Sequence, residues 1–316
     1  MDTICGVDVS KVWLDGWIEA GGYRRFANDA AGIADLARWA TGHGSGLVVM
    51  EASGGIEQPA FLALWRAGLP CALTNPRAVR KFAEAMGKLE KTDRIDAEVI
   101  ARHAAARRIS PTQPASQEQQ RLTALATRLR QVTGDLSVNK QRLHSTRDPV
   151  ALASLREAIA FCTAQARALA AQIAALVEHD PVWAALDRTF RSVKGVAGRT
   201  VAVLLAELPE IGTLSNKHVL SFAEGAVAKL AGLAPIANDS GKRSGPRSIR
   251  GGRAAVRSIL YLVADIARKY DPTLAEFRQR LLDQGKPKMV VRIALARKLL
   301  VRLNAKARET RLALAS

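Results

Sequence analysis

The sequence predicts two unlike parts, a mixed α/β domain with a central sheet over residues 1–110 and a helical remainder. Up to residue 107, short apolar runs alternate with amphipathic helical stretches, which is typical of a sheet covered by helices. From residue 116 onward strand patterns are absent, and alanine, leucine, glutamine and arginine predominate. The stretch 109–114, with its two prolines, is expected to link the two parts.

Each predicted element of the first part has a local signal. The pair Gly21-Gly22 supplies a turn between two strands, Asn28 or Asp29 caps the helix that follows, and a later apolar run ends at Glu51. The predicted strands cover residues 3–8, 13–19, 23–26, 47–51 and 70–74, and the predicted helices cover residues 28–41, 58–67, 79–86 and 93–107.

The remainder divides into a helical segment over residues 111–185 and a mostly helical domain over residues 186–316. In the helical segment, apolar side chains recur three or four residues apart along two runs separated by Asp148-Pro149. This stripe predicts an antiparallel hairpin or coiled coil, and an ordinary helical bundle explains it equally well. In either case the segment serves packing and not chemistry. Residues 238–253, with four glycines and five basic residues, are expected to form a basic, flexible loop.

Composition excludes several classes of protein. A chain of 316 residues with 48% hydrophobic residues is not disordered. The sequence has no uncharged apolar run of about 18 residues, no basic and apolar leader, and no CxxC spacing among Cys5, Cys71 and Cys162. It therefore predicts no transmembrane helix, no membrane partner, no secretory signal and no zinc site, and a cytoplasmic location.

The basic residues are concentrated at one end of the chain. The formal charge is +18, of which residues 1–110 contribute +1, residues 111–240 contribute +3 and residues 241–316 contribute +14. Because Lys and Arg neutralise phosphates and release counterions, this excess indicates a polyanionic partner such as a nucleic acid. A solvated basic surface is the alternative, although the excess is larger than solubility needs.

Four carboxylates stand where a metal ion would need them. Asp8 and Glu51 each end a strand, and Asp93 and Asp96 share the first turn of a helix. An acid at the end of a buried strand is costly unless something compensates its charge, and Mg²⁺ prefers oxygen ligands. Taken singly, Asp93 is better explained as a helix N-terminal acid and Asp8 as a turn residue. Their order along the chain favours a metal site suited to phosphodiester cleavage.

A Gly-x-x-Gly turn precedes an apolar helix at residues 194–202. It comprises Lys194, Gly195, Gly198 and Arg199 and resembles a helix–hairpin–helix, whose backbone N–H groups meet a phosphate. A plain turn between two helices is the alternative.

The basic loop surrounds Ser240 with cations. These are Lys242, Arg243, Arg247, Arg250, Arg253 and Arg257. A serine becomes a nucleophile only where a base or metal activates it and cations stabilise the pentacoordinate phosphorus. Spacing alone describes Ser240 as a surface loop residue and leaves Ser244 and Ser248 as rival candidates.

Motifs along the chain resemble those of one known family. Gly-Val-Asp-Val-Ser-Lys at 6–11, Met-Glu-Ala-Ser-Gly-Gly at 50–55 and Lys-Thr-Asp-Arg-Ile-Asp-Ala at 91–97 resemble the N-terminal domain of the DEDD transposases of bacterial insertion sequences. Val-Lys-Gly-Val at 193–196, Leu-Leu-Ala-Glu-Leu-Pro at 204–209, Ala-Gly-Leu-Ala-Pro at 231–235 and the segment 239–257 resemble the C-terminal domain of that family. Related proteins include site-specific DNA invertases.

The resemblance implies several things that spacing does not. The N-terminal domain would have a ribonuclease H-like fold of the RuvC type, and Asp8, Glu51, Asp93 and Asp96 would bind Mg²⁺, or Mn²⁺ in its place. Ser240 would form a covalent phosphoserine link with DNA, in a composite site assembled between subunits. The resemblance further implies that the helical segment 111–185 is an oligomerisation segment that joins subunits into dimers. Two dimers would assemble into a tetramer on two DNAs, the element ends and the target. As in some members, it also implies a structured guide RNA.

The sequence thus predicts an insertion-sequence transposase or site-specific recombinase, an enzyme that cleaves and rejoins DNA strands at the bacterial nucleoid. Two alternatives stay open. A Holliday-junction-resolvase-like metal nuclease, in which water attacks, explains the acids but gives Ser240 no task. A basic nucleic-acid-binding protein without catalysis explains the charge but leaves the strand-end acids unexplained.

Overall fold

The computed structural model divides the chain into two compact units, Met1–Ala115 and Ser116–Ser316. The structure describes residues 3–88, 90, 92–214, 227–241, 245 and 247–315. The first unit is a mixed α/β domain and the second is mostly helical, as the sequence predicts. The further division of the helical part at residue 185 stays a prediction.

The first unit contains a five-stranded sheet. Its strands are β1 Thr3–Val9, β2 Trp13–Ile18, β3 Gly22–Ala27, β4 Ser45–Glu51 and β5 Cys71–Thr74, and its helices are α1 Ala30–Gly42, α2 Gln58–Arg66, α3 Pro76–Ala85 and α4 Asp93–Arg107. The strand order is β3-β2-β1-β4-β5. β2 is antiparallel to β1 and to β3, and β4 is parallel to β1 and to β5. The parallel strands β1, β4 and β5 therefore end at one edge of the sheet.

Alternation along β1 assigns its side chains to the two faces of the sheet. Cys5 and Val7 join the core formed with α1 and α2, whereas Ile4 packs against the core formed with α3 and α4. Asp8 lies an even number of residues from Ile4, so its side chain points to the face that α4 covers.

Helix α4 approaches β1 closely because residue 6 is glycine. A Cβ at Gly6 would lie 2.2 Å from the carbonyl oxygen of Ala97 and 2.5 Å from the amide nitrogen of Ala101, both in α4. The helix begins after Thr92, whose hydroxyl accepts a hydrogen bond from the amide of Ile95 at 3.3 Å. The glycine and the cap together place the first turn of α4 beside the end of β1.

The second unit is built around one apolar core. Its helices are α5 Gln117–Ser145, α6 Pro149–His179, α7 Pro181–Arg191, α8 Gly198–Glu207, α9 Val227–Leu230, α10 Ala254–Ala267, α11 Pro272–Asp283 and α12 Lys288–Ala315. α5 and α6 pack along each other across a short connection, so they form an antiparallel pair. Leu122 and Ile173, two positions of the predicted stripe, are buried against the core that α7, α8, α10 and α12 complete.

Helix α6 meets the length and hydropathy that a membrane span requires, and 6% of its most apolar stretch is buried. It is the one helix of the described chain that does so. The absence of a transmembrane helix therefore stays a prediction from the sequence. In the structure, α6 contributes Cys162, Ile173 and Val177 to the buried side of the helix pair.

Candidate active site

The strand-end acids lie at one edge of the sheet in the first unit. Asp8 is the penultimate residue of β1, and Glu51 is the last residue of the neighbouring parallel strand β4. Asp93 and Asp96 occupy the first turn of α4, which packs over the face to which Asp8 points. The elements that carry the four predicted ligands therefore converge on one edge of the sheet.

The surroundings of Asp8 change the pKa of its carboxyl group. Burial, followed by the negative charges of Asp96 and Asp93, raises the pKa of Asp8 from 3.8 to about 6, although a hydrogen bond with the backbone of Val9 opposes the change. Asp96 and Asp93 therefore both lie close enough to Asp8 to disfavour its ionised form. Such mutual repulsion is the property that a bound cation relieves.

The donors in this cluster fit a hard divalent cation by their chemistry, since all of them are carboxylate oxygens. Among the residues that the structure describes, no three His, Cys, Asp or Glu side chains are gathered as a metal-binding group. The cluster thus has the charge and the donor type for a metal ion, and its side chains are not drawn together as ligands in this conformation.

A fifth carboxylate and a cation border the cluster, and the sequence reasoning missed both. Asp15 on β2 is the register partner of Asp8 and is 2% exposed. Its carboxylate accepts hydrogen bonds from the hydroxyl of Tyr23 and from Nε of Arg25, the latter at 2.7 Å. Nη2 of Arg25 also donates to Oδ2 of Asp93 at 2.7 Å. The signal in the sequence was Asp15 itself, a charged residue within the predicted strand 13–19, where it needs a partner if it is buried.

The loop after Glu51 is held by another carboxylate that the sequence reasoning did not single out. Glu57 is 3% exposed, and its Oε2 accepts hydrogen bonds from the amides of Ser53 at 3.1 Å and Gly55 at 2.9 Å. The Ser53 hydroxyl in turn donates to the carbonyl oxygen of Glu51 at 3.3 Å. Gly55, with a φ of 111°, makes the turn that brings these amides towards Glu57. Glu57 therefore fixes the backbone just after the predicted ligand Glu51.

Ser240 belongs to the second unit, in the segment between α9 and α10, and is exposed. The preceding residue, Asp239, forms hydrogen bonds within this segment. Asp239 accepts hydrogen bonds from Nη1 of Arg247 at 2.7 Å and from the amide of Gly245 at 3.1 Å. An isolated bridge joins Ile236 to Ser248. Ser240 thus follows the residue that ties the two sides of the segment together.

Several of the predicted phosphate contacts are engaged within the fold. Arg253 donates to both carboxylate oxygens of Glu210, at 2.5 and 2.6 Å, and Arg257 donates to the carbonyl oxygen of Gly251 at 2.7 Å. Arg250 is exposed. Lys242 and Arg243, and the rival nucleophile Ser244, lie outside the described residues. The assignment of these side chains to nucleic acid stays a prediction.

The Gly-x-x-Gly turn connects α7 to α8. Gly195 has a φ of 95° and lies against α10, where a Cβ would approach the amide nitrogen of Ala267 to 3.0 Å. Gly198 is the first residue of α8, and the next residue, Arg199, donates to the hydroxyl of Thr133 at 2.9 Å. Lys194 is exposed. Packing against α10 is thus a structural reason for the first glycine, and phosphate binding stays a prediction for the turn.

Comparison with known proteins identifies the family to which this chain belongs. A model of the DEDD transposases of the IS110 type matches residues 5–149, and a model described as "Transposase IS116/IS110/IS902 family" matches residues 187–279. The chain belongs to the IS110 family of transposases. The first model covers the elements that carry the four acids, and the second covers the Gly-x-x-Gly turn and Ser240.

Relatives of this IS110-family chain include two proteins of matching length. The "Pilin gene-inverting protein" of Moraxella bovis is 28% identical over 94% of this chain and 93% of its own length. Its counterpart in Moraxella lacunata shows the same identity and coverage. An "Insertion element IS110 uncharacterized 43.6 kDa protein" of Streptomyces coelicolor is 33% identical over 47% of this chain and 34% of its own length.

Membership of the IS110 family makes the protein an enzyme, a DNA transposase or recombinase whose substrate is DNA. It also implies a nuclease that depends on a divalent metal ion. The predictions of family, enzyme class and DNA as substrate are therefore confirmed.

Proposed function

We propose that this IS110-family transposase breaks and rejoins DNA strands through Ser240, while Asp8, Glu51, Asp93 and Asp96 hold Mg²⁺ or Mn²⁺. The observation that carries the proposal is the convergence of acids, with the pKa of Asp8 raised to about 6 by burial and by the charges of Asp96 and Asp93. Neighbouring carboxylates that repel one another at a partly buried position cost stability, and a divalent cation offsets that cost.

The topology of the first unit supports a ribonuclease H-like fold. Its sheet has three antiparallel strands, β1 to β3, continued by the parallel strands β4 and β5, and its acids lie at the ends of β1 and β4 and on α4. This distribution places the ends of β1 and β4 and the start of α4, which carry the proposed ligands, at one edge of the sheet.

In the proposed reaction, the bound cation would polarise the phosphate and stabilise its developing charge. Oγ of Ser240 forms a bond to phosphorus, and the bond from phosphorus to the departing deoxyribose oxygen breaks. The serine proton passes to solvent, and the departing oxygen takes one up. Because the phosphoserine ester replaces one phosphodiester bond by another, a deoxyribose hydroxyl can later reverse the step without ATP.

The test incubates the protein with Mg²⁺, DNA that spans the element ends and the element's non-coding RNA, and resolves the products on denaturing gels. We expect a protease-sensitive protein–DNA adduct that is lost in Ser240→Ala and in Asp8→Asn but kept in the matched control Ser248→Ala. Breaks without an adduct that survive Ser240→Ala would establish the alternative, a metal nuclease that uses water. Binding without any strand breakage would establish a non-catalytic binding protein.

We propose further that the α5–α6 pair joins subunits, as a coiled coil, into dimers and then a tetramer. In support, large apolar side chains on it are solvent-exposed, among them Val150, at 78%, and Phe161, at 62%. Light scattering on the full chain, compared with Phe161→Glu, tests this, and an unchanged mass would refute it.

A structured guide RNA is proposed as a second partner, and an adduct that forms equally well without the element's non-coding RNA would refute it.

A further inference from the structure

One row of charged residues crosses the sheet beside the acid cluster. Asp8 on β1 pairs in register with Asp15 on β2, which pairs with Arg25 on β3. Register partners on neighbouring strands point to the same face, so the three side chains lie on the face that α4 covers. Arg24, the neighbour of Arg25, points to the opposite face, where its guanidinium lies 5.2 Å from the centre of the Phe26 ring.

The guanidinium of Arg25 joins a buried carboxylate to an exposed one. Its Nε lies 2.7 Å from Oδ1 of Asp15 and its Nη2 lies 3.3 Å from Oδ2 of the same residue. Nη2 also lies 2.7 Å from Oδ2 of Asp93, whose side chain is 62% exposed. The hydroxyl of Tyr23 also donates to Oδ1 of Asp15. Arg25 thus forms a bridge between Asp15 and Asp93. Asp15 is held in place by burial and by its hydrogen bonds, whereas Asp93 is held by its contact with Arg25.

The exposed end needs this restraint. Asp93 lies in the same helical turn as Asp96 and near Asp8, so two negative charges push its carboxylate towards solvent. An exposed aspartate at the start of a helix has room to turn away. The planar guanidinium reaches both carboxylates at once, because it presents several donors in a fixed fork, whereas a lysine ammonium acts as a single point of charge.

We infer that Arg25 is a positioning residue that holds Asp93 in the acid cluster, with the buried Asp15 as its anchor. The inference rests on the proposed function, in which Asp93 is a metal ligand. Arg25 itself does not touch the metal or the DNA in this role. It acts by holding the carboxylate of Asp93 on the face of the sheet to which Asp8 points, against the repulsion of the other acids.

The test measures Mn²⁺ binding to the full chain by electron paramagnetic resonance in the absence of DNA. Arg25→Lys keeps a positive charge beside Asp15 but loses the fork, and we expect Mn²⁺ affinity to fall about fivefold, a modest loss because Asp93 is exposed. Arg24→Lys is the matched control, with the same chemical change on the opposite face, and should bind Mn²⁺ as the wild type does.

A double-mutant cycle separates positioning from general damage to the fold. In an Asp93→Asn background, Arg25→Lys should cause no additional loss of Mn²⁺ affinity, since the residue through which it acts has gone. An equal loss in both backgrounds would overturn the inference and leave a purely structural role. The combined change Asp15→Asn with Arg25→Gln avoids an unpaired buried charge, and we expect it to weaken Mn²⁺ binding to a similar degree.

The same experiment distinguishes failure of the inference from failure of the proposed function. If Asp8→Asn abolishes Mn²⁺ binding while Arg25→Lys binds as the wild type does, the acid cluster is a metal site and the role of Arg25 is wrong. If Asp8→Asn binds Mn²⁺ as tightly as the wild type, the proposed metal site itself is wrong, and the inference falls with it.

Discussion

Replacing Asp8 by asparagine should stabilise the metal-free protein at neutral pH. In the folded state the pKa of Asp8 is about 6, because burial and the charges of Asp96 and Asp93 disfavour its ionised form, and in the unfolded chain it returns to about 3.8. The folded state therefore holds the proton more tightly than the unfolded state. The associated stability is present below pH 3.8 and is lost as the pH rises towards 6.

The size of the effect follows from the same values. A pKa difference of one corresponds to about 1.4 kcal/mol, so the change from 3.8 to about 6 sets a ceiling of about 3 kcal/mol at pH 7.5. Asp8 is only partly buried, and solvent screening reduces this to about 1.5 kcal/mol. For a unit of this size the melting temperature of Asp8→Asn should rise by roughly 5 °C.

The assay is thermal unfolding in EDTA between pH 5 and pH 8, on the wild type, Asp8→Asn and the control Asp35→Asn. Asp35 is a half-exposed acid on α1 that pairs with Arg38, and its replacement should change stability by less than about 0.5 kcal/mol. The gain from Asp8→Asn should be full above about pH 6.5 and should shrink as the pH falls. A destabilised Asp8→Asn variant, or a gain independent of pH, would refute the reasoning.

Three further predictions concern residues that act within the fold. Glu57→Ala leaves two loop amides without their acceptor and should cost about 2 kcal/mol in chemical denaturation, whereas Glu19→Ala, at an exposed position, should cost almost nothing. Asn304→Leu should cost about 3 kcal/mol by the same measurement, because this fully buried amide accepts a hydrogen bond from the amide of residue 212 and donates one to the carbonyl of residue 214. Arg253→Ala should lower the melting temperature through loss of its pair with a glutamate, whereas Arg250→Ala should weaken DNA binding and leave the melting temperature unchanged.

The acids at strand ends were predictable because the signal is local. An apolar run that stops at an acid shows where a strand ends, as at Glu51, and the sequence predicts a helix from Asp93 onward. The structure has β4 ending at Glu51 and α4 beginning at Asp93. The order of these acids along the chain was the basis for grouping them as one site, and that grouping stays a prediction.

The bridge from Asp15 to Asp93 was not predictable in the same way. It depends on the register of three strands and on the position of a helix 68 residues further along the chain. No periodicity in the sequence records which residues of β2 and β3 stand opposite each other. The need for glycine at position 6 was not predictable either. The motif at 6–11 was recognised, but the close approach of α4 that requires a glycine there is seen only in the folded structure.

The net charge of the C-terminal part follows from the sequence, but the sequence does not show which of its cations are available at the surface. Composition counts every arginine equally, whereas the structure pairs Arg247 with Asp239, Arg253 with Glu210 and Arg302 with Asp271. Such pairs depend on long-range folding and have no signature in a count. The sequence therefore indicates a polyanionic partner without indicating which cations meet it.

These internal pairs bear on how the protein responds to salt. When a protein neutralises a DNA phosphate, it releases a condensed cation, and the logarithm of affinity falls by about 0.9 per neutralised phosphate for each unit of the logarithm of salt concentration. An arginine that already has a carboxylate beside it displaces fewer ions. The number of ions released should therefore be well below the number of lysines and arginines in residues 241–316, which is 19. Binding to a duplex would then persist to higher ionic strength than the composition of this segment suggests.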